Sequence, residues 1–291
     1  MTTVLAVDLG GSKILACLVQ EGRIVDERQV PTPRQEGPDG WLRAIQAIGD
    51  DWEGRFAVAG IAVTGVVRRG RWYALNPETL AVPQGFLLET ELTRRLHVAV
   101  TAGNDAQMAA WGEHVAGAGQ GIADLVFVTV STGIGGGVIV DGRLLLGRGG
   151  IAGSVGQLRQ TADLRVEDLA SGSGIAKEAA RRGKDVSAAA VFTAAAGGEP
   201  WAADILRGAV EAGAILFRNL QFAYDPLRIV VGGGVGLADG YLDQVRALLA
   251  DVPELERPEL VPAALGAKAG ILGIADLALR EAAATREEQS L

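Results

Sequence analysis

The sequence predicts an α/β fold built from two related domains with a ligand cleft between them. Three observations carry this. Apolar runs of strand length alternate with segments of helical spacing along the chain. Residues 4–19 read as strand, tight turn, strand: an apolar run stops at Asp8, passes through Gly10-Gly11-Ser12-Lys13 and resumes. Residues 125–140 repeat that pattern, and even the next turn repeats, with Asp141-Gly142-Arg143-Leu144 matching Glu21-Gly22-Arg23-Ile24. We read this as an internal duplication, and the cleft between duplicated domains is a natural ligand site.

The elements follow in order. After the opening hairpin, Glu21-Gly22 turns into a third strand over 23–30, and Pro31, Pro33 and Pro38 mark a loop. Trp41, Leu42, Ile45 and Ile48 lie at helical spacing, so 41–48 is a helix. Residues 56–63 form a strand ending at Thr64-Gly65, and Asn76-Pro77 favours a turn. A helix covers 86–96, a short strand 98–102, and a helix 106–115 follows Gly103-Asn104-Asp105. The glycine-rich 117–121 reads as a hinge and 147–156 as a flexible loop. Glu167 to Gly174 leads into a helix starting near Ile175, with an alanine-rich helix at 188–196. A long helix over 201–224 carries Ile205, Val210, Ile215, Leu216 and Phe222 as its apolar stripe. A strand at 228–231 feeds Gly232-Gly233-Gly234-Val235-Gly236, helices cover 242–249 and 267–279, and the Glu- and Arg-rich tail is expected to fray.

Composition narrows the function classes. A chain of 291 residues suits two domains. The net charge of -8 disfavours a nucleic-acid partner. No basic leader precedes the first strand and no apolar run spans a bilayer, so a cytoplasmic location without membrane contact is expected. Cys17 is the only cysteine, which excludes an intramolecular disulfide and a multi-cysteine zinc site. It lies on an apolar strand and reads as a small buried hydrophobe; His97 and His114 read as structural.

Three glycine turns follow strands, at Gly10-Gly11, 133–137 and 232–236. None fits the P-loop pattern or the dinucleotide fingerprint with its acidic residue. Backbone N–H groups of such turns form anion-binding nests, so two of them facing each other would pinch a triphosphate, and the third would admit the adenosine. Asp8 sits where it would hold Mg²⁺ through water. Asn104-Asp105 reads as a helix N-cap, and equally as a carboxylate placed to accept a proton from a substrate hydroxyl. Glu167, taken alone, reads as an acidic residue near a helix start.

Four segments together resemble the ROK (repressor, open reading frame, kinase) family of sugar kinases over essentially the whole chain. They are Val7-Asp8-Leu9-Gly10-Gly11-Ser12-Lys13, residues 104–111, residues 130–138 and Val231-Gly232-Gly233-Gly234-Val235-Gly236-Leu237. The resemblance implies a duplicated actin-like ATPase (ribonuclease H-like) fold. One lobe would comprise 1–105 plus 275–291, the other 106–274. It implies ATP and Mg²⁺ as cofactors and a homodimer. Residues 75–77, 104–111 and 234–238 resemble the branch acting on N-acetylmannosamine, whose 6-hydroxyl would be the acceptor. Asp105 would be the catalytic base, and Asn76, Asn104, Ser154 and Glu167 would join it in binding the sugar. Gly10, Gly11, Ser12 and Lys13 would form the first phosphate turn, with Asp8 near Mg²⁺. Thr132, Gly133 and Gly135 would form the second, and Gly233 and Gly234 would lie near the nucleotide.

The chain also departs from the family. Where the family carries a Glu or His, a zinc-binding His and a cysteine cluster, this chain has Gly153-Ser154-Val155-Gly156-Gln157 and a shortened stretch, 158–166, leading straight to Glu167. Ser154 replaces a sugar-binding side chain and Gln157 the zinc ligand, so no structural zinc is expected. The loop is then either held by packing or mobile. The rival readings are a glucokinase or other ROK hexose kinase, a sugar-sensing repressor and a non-catalytic sugar-binding protein.

Overall fold

The structure, a computed structural model, describes residues 2–75 and 79–289. The candidate sugar contact Asn76 and the turn at Asn76-Pro77 lie outside the described residues. The chain divides into two compact units: Met1–Ala116 with Leu146–Ile151 and Ala267–Leu291, and Gly117–Leu145 with Ala152–Gly266.

In the first unit β1 (Thr3–Leu9), β2 (Lys13–Gln20) and β3 (Arg23–Pro31) form an antiparallel meander, and α1 (Gly37–Asp51) leads to β4 (Val58–Val63). A hairpin of β5 (Val66–Arg68) and β6 (Arg71–Tyr73) precedes α2 (Leu88–Leu96), β7 (Ala99–Asn104) and α3 (Asp105–Ala116). The sheet order is β3-β2-β1-β4-β7, with β1, β4 and β7 parallel. β4 is buried at every position, as expected of an apolar strand in the middle of a sheet. The helical stripe of α1 buries Trp41, Leu42, Ile45 and Ile48, and Trp41 packs against Trp72 at 5.8 Å between ring centres.

The second unit opens with β8 (Leu125–Val130), β9 (Ile134–Val140) and β10 (Arg143–Leu144). Four helices follow, α4 (Val166–Ala170), α5 (Gly172–Arg181), α6 (Ala188–Ala196) and α7 (Pro200–Tyr224), then β11 (Arg228–Gly232), α8 (Tyr241–Leu248) and β12 (Leu260–Pro262). Its sheet order, β10-β9-β8-β11-β12, repeats the first: two antiparallel pairings, then two parallel ones. The echoed turns are alike as well. Glu21 and Gly22 have φ of 50° and 71°, Asp141 and Gly142 have 50° and 70°, the positive pair that a two-residue type I′ hairpin requires.

Several expectations are adjusted. Glu167 lies near the start of a separate short helix, α4, and α5 begins at Gly172 rather than near Ile175. The stripe of α7 is rotated from the one expected: Ile205, Val210 and Leu216 are buried, whereas Ile215 and Phe222 are exposed. The C-terminal helix runs over Ala269–Gln289, so the charged tail continues it. Helix α3 groups with the first unit, whereas the sequence boundary put 106–116 in the second lobe. The reason is the way α3 meets the C-terminal helix. A Cβ on Gly112 would lie 2.0 Å from the Ala269 carbonyl oxygen, and one on Gly273 would lie 1.9 Å from that of Met108. The two helix backbones approach so closely that only hydrogen fits at the crossing.

Gly273→Ala overpacks the crossing and costs about 1–3 kcal/mol, so calorimetry will show a lower Tm. Gly270→Ala, whose Cβ would meet its nearest atom at an ordinary 3.7 Å, will leave Tm unchanged or raise it.

Candidate active site

In the first unit the candidate residues gather at the carboxyl ends of the parallel strands, where open α/β sheets bind ligands. Asp8 is near the end of β1, Thr64-Gly65 follows β4 and Asn104 ends β7, in register with Val63. The Asn104 side chain caps α3: its Oδ1 accepts the Gln107 N–H at 2.9 Å. Its Nδ2 donates to the Gly65 carbonyl at 2.8 Å and to Asp105 Oδ1 at 2.9 Å. The same contacts fix the first residue of α3.

Asp105 Oδ1 also accepts the Ala106 N–H at 2.8 Å, while Oδ2 takes no protein donor among the described residues. The residue keeps solvent-exposed surface. Protein crowding around the carboxylate, opposed by the Ala106 N–H and reinforced by the charge of Asp8, pushes its pKa up to about 6. Burial likewise raises the pKa of Asp8, opposed by Lys13. In its ionised form Asp8 would suit a hydrated divalent cation, which keeps most of its waters.

The first glycine turn closes with the Gly10 N–H on the Lys13 carbonyl at 3.0 Å. Neither Gly10 nor Gly11 has positive φ. Gly11 instead lies close to Thr79, whose Cγ2 would be 2.9 Å from a Cβ placed there. Lys13 donates to Gln29 Oε1 at 3.2 Å, and Ser12 is exposed. Thr32, which the sequence reading missed, braces the turn: its N–H donates to the Ser12 carbonyl at 3.0 Å and its hydroxyl to the Gly10 carbonyl at 2.7 Å.

In the second unit Thr132 and Gly133 form the turn between β8 and β9, whereas Gly135 lies within β9, paired with Thr129. Helices α4 and α5 strap this turn. Gly172 and Ser173 donate to the Ser131 and Thr132 carbonyls at 2.7 and 3.0 Å. Glu167 Oε2 accepts the Ile134 N–H at 2.9 Å, and a Cβ on Gly133 would come within 2.6 Å of that oxygen. Glu167 is therefore bound to the glycine turn itself, a contact with no sequence signal. The glycine face of β9 lets the 153–157 loop lie directly on the strand, where Gly156 has room for no Cβ against the Ile134 carbonyl, 2.1 Å away. Ser154 caps the short helical turn 155–157 with its carbonyl.

Gly233, at φ 84°, turns tightly against the Val130 carbonyl, and Gly234 faces open space. Gly234, Val235 and Ala238 form one wall of a cavity of about 530 Å³, with Ser131, Thr132, Gly172, Ser173 and Ala176 on another and Ser187, Ala188, Ala189 and Phe192 of the α6 region on a third. Its size and mixed small-polar and apolar lining suit a nucleoside. The alanine-rich α6 gave no functional signal in sequence, because nothing in it is chemically distinctive.

The zinc that the family resemblance implies does not fit here. The only cysteine, Cys17, is buried on β2, and the loop offers Gln157 where the zinc-binding histidine would be needed.

Two sheets of one topology, each ending in a glycine turn, define an actin-like ATPase fold, and the solved structures agree. A ROK family glucokinase from Streptomyces griseus, in complex with glucose and AMPPNP, superposes with TM-score 0.81 at 31% identity, covering 96% of this chain and 99% of that one. The family model for ROK matches residues 4–281, and the chain belongs to the ROK family. The N-acetylmannosamine kinase of Shigella flexneri is 38% identical over 291 residues, 96% of this chain and 99% of the relative. The bifunctional enzyme NanE/NanK of Brucella melitensis is 48% identical over 278 residues, 94% of this chain. The chain spans about half (54%) of that bifunctional relative's length.

A carboxylate whose folded pKa lies above its unfolded one favours folding below the unfolded value and loses that contribution as pH rises through the folded one. Ionised Asp105 therefore opposes folding at neutral pH. Asp105→Asn will raise Tm at pH 7.5, and the gain will shrink toward pH 5; an equal gain at both values would contradict the assignment.

Proposed function

We propose that this chain is an ATP- and Mg²⁺-dependent kinase that transfers the γ-phosphoryl group to the 6-hydroxyl of N-acetylmannosamine. The observation that carries it is the carboxylate at the head of α3, with one oxygen fixed by Asn104 and Ala106 and the other open to accept a proton. A pKa of about 6 leaves this group ionised at neutral pH and still a competent base. Asp105 takes the hydroxyl proton as the oxygen attacks the γ-phosphorus. Asn104 and Glu167 orient the sugar, and Ser154, smaller than a glutamate, leaves room for a 2-acetamido group. Asn76 is kept as a further sugar contact.

Phosphoryl transfer needs positioning and charge neutralisation more than covalent chemistry. The turns at Gly10, Gly11, Ser12 and Lys13 and at Thr132 and Gly133 offer N–H groups to phosphate oxygens, with Gly135 behind the second. The cavity beside Gly233 and Gly234 takes the adenosine. Asp8 holds Mg²⁺ through water, and the cation, when bound, offsets phosphate charge. The relatives named above support this reading, at 48% and 38% identity. No described helix is long and apolar enough to cross a membrane. A cytoplasmic location belongs to the proposal, as does a homodimer, which the exposed Ile215 and Phe222 of α7 support.

A coupled assay tests the proposal across N-acetylmannosamine, N-acetylglucosamine, glucose and mannose. We expect kcat/KM for N-acetylmannosamine to exceed the others at least tenfold. A glucose value equal or higher would make the chain a glucokinase instead. Asp105→Asn will lower kcat by about 10²–10⁴; a near wild-type rate would remove Asp105 as the base.

A further inference from the structure

The segment between Gln157 and Glu167 carries no histidine or cysteine, yet it is tied at every turn. Arg165 lies at its centre. Its Nε and Nη2 grip Asp168 Oδ2 and Oδ1 at 2.9 and 2.7 Å, a two-pronged fork that fixes both partners. Its Nη1 donates to Gln157 Oε1 at 3.1 Å and lies 4.0 Å from Glu167 Oε1. Asp168 Oδ2 also accepts the Arg165 backbone N–H at 3.0 Å, reaching back over the start of α4.

The backbone repeats these ties. The Val166 N–H donates to the Leu158 carbonyl at 2.9 Å and the Gln160 N–H to that of Leu164 at 3.0 Å, while Gln160 Nε2 anchors the loop on the Ala212 carbonyl at 2.6 Å. The guanidinium thus joins the two ends of the loop, at 157 and at 165–168. It does so directly beside the carboxylate that accepts the Ile134 N–H of the glycine turn. Glu167 is bracketed: one oxygen on the turn, the other facing Arg165.

We propose that Arg165 is a positioning residue: by clamping Gln157 and Asp168 it closes the 158–166 loop without a metal and holds the Glu167 carboxylate against the Ile134 N–H. The loop is accordingly held, not mobile, and a single cation makes the cross-links that the missing metal ligands would otherwise supply. Lysine cannot replace it, because an ammonium has no fork to span both oxygens of Asp168. The consequence for activity rests on the reading of Glu167 as a sugar contact. A loosened Glu167 weakens sugar binding while leaving the cavity beside Gly234 as it was.

The test uses Arg165→Met, Arg165→Lys and Asp168→Asn in the full chain, with steady-state kinetics and amide hydrogen exchange. We expect Arg165→Met to raise the sugar KM at least tenfold, with the ATP KM within twofold and kcat within about threefold of wild type. Arg165→Lys and Asp168→Asn will shift the same constant in the same direction. Adding Asp168→Asn to Arg165→Met will add little, because one fork is lost either way. Amides of 158–166 and of Ile134 will exchange at least tenfold faster in the variants. An unchanged sugar KM, or sugar KM, ATP KM and kcat moving together, would overturn the positioning role. If the wild-type chain phosphorylates no sugar, the proposed function fails and exchange alone decides: faster exchange in the lysine or asparagine variant supports the clamp, and unchanged exchange overturns it.

Discussion

The structure depends on keeping a charged carboxylate where charge is poorly tolerated. Asp105 stands at the first position of α3, its carboxylate crowded by protein and near a second acid, Asp8, and its pKa rises accordingly. Local hydrogen bonds keep it in place. Asn104 closes the helix end with one atom and ties Gly65 and Asp105 with another, so the strand end, the following loop and the carboxylate form one unit. Proteins accept such local costs at functional sites and offset them elsewhere. Here the offset is the close crossing of α3 with the C-terminal helix and the apolar core beneath the sheet.

Glycine supplies the second constraint, and mostly through clearance. Gly112, Gly156 and Gly273 have no room for a Cβ against backbone, Gly11 and Gly133 bring side chains close, and none of the five has positive φ. Each lets a backbone or a functional side chain come closer than any other residue permits: Glu167 onto the turn at Gly133, the 153–157 loop onto β9, one helix onto another. Gly233 is different, combining positive φ with a tight approach to β8. The glycine content of the chain is thus spent on close approach around the candidate site as well as on turns.

Much of this was legible in the sequence. The opening hairpin, its repeat and the matched acidic-glycine turns stand in the pattern of apolar runs, and the two sheets have one order because that pattern is repeated. The cap at Asn104 was legible because Asn and Asp before an apolar helix have a local physical meaning. Three things were not. Helix crossings depend on residues far apart in sequence, so Gly112 and Gly273 carried no joint signal. Contacts through backbone groups, such as Thr32 on the first turn or Glu167 on Ile134, leave no residue pattern. The alanine-rich α6 and the rotated stripe of α7 show that composition finds a helix without fixing what its faces meet. Glu167 stood out only through the family resemblance, and Arg165 not at all.

Phosphoryl transfer by this chain, as proposed, turns on the ionisation of one side chain, and the pH dependence of kcat/KM for N-acetylmannosamine reads that ionisation directly. An acid limb is expected, falling about tenfold per pH unit below an apparent pKa near 6 and absent from the residual activity of Asp105→Asn. A profile flat down to pH 5, or an acid limb that survives in the variant, would contradict it.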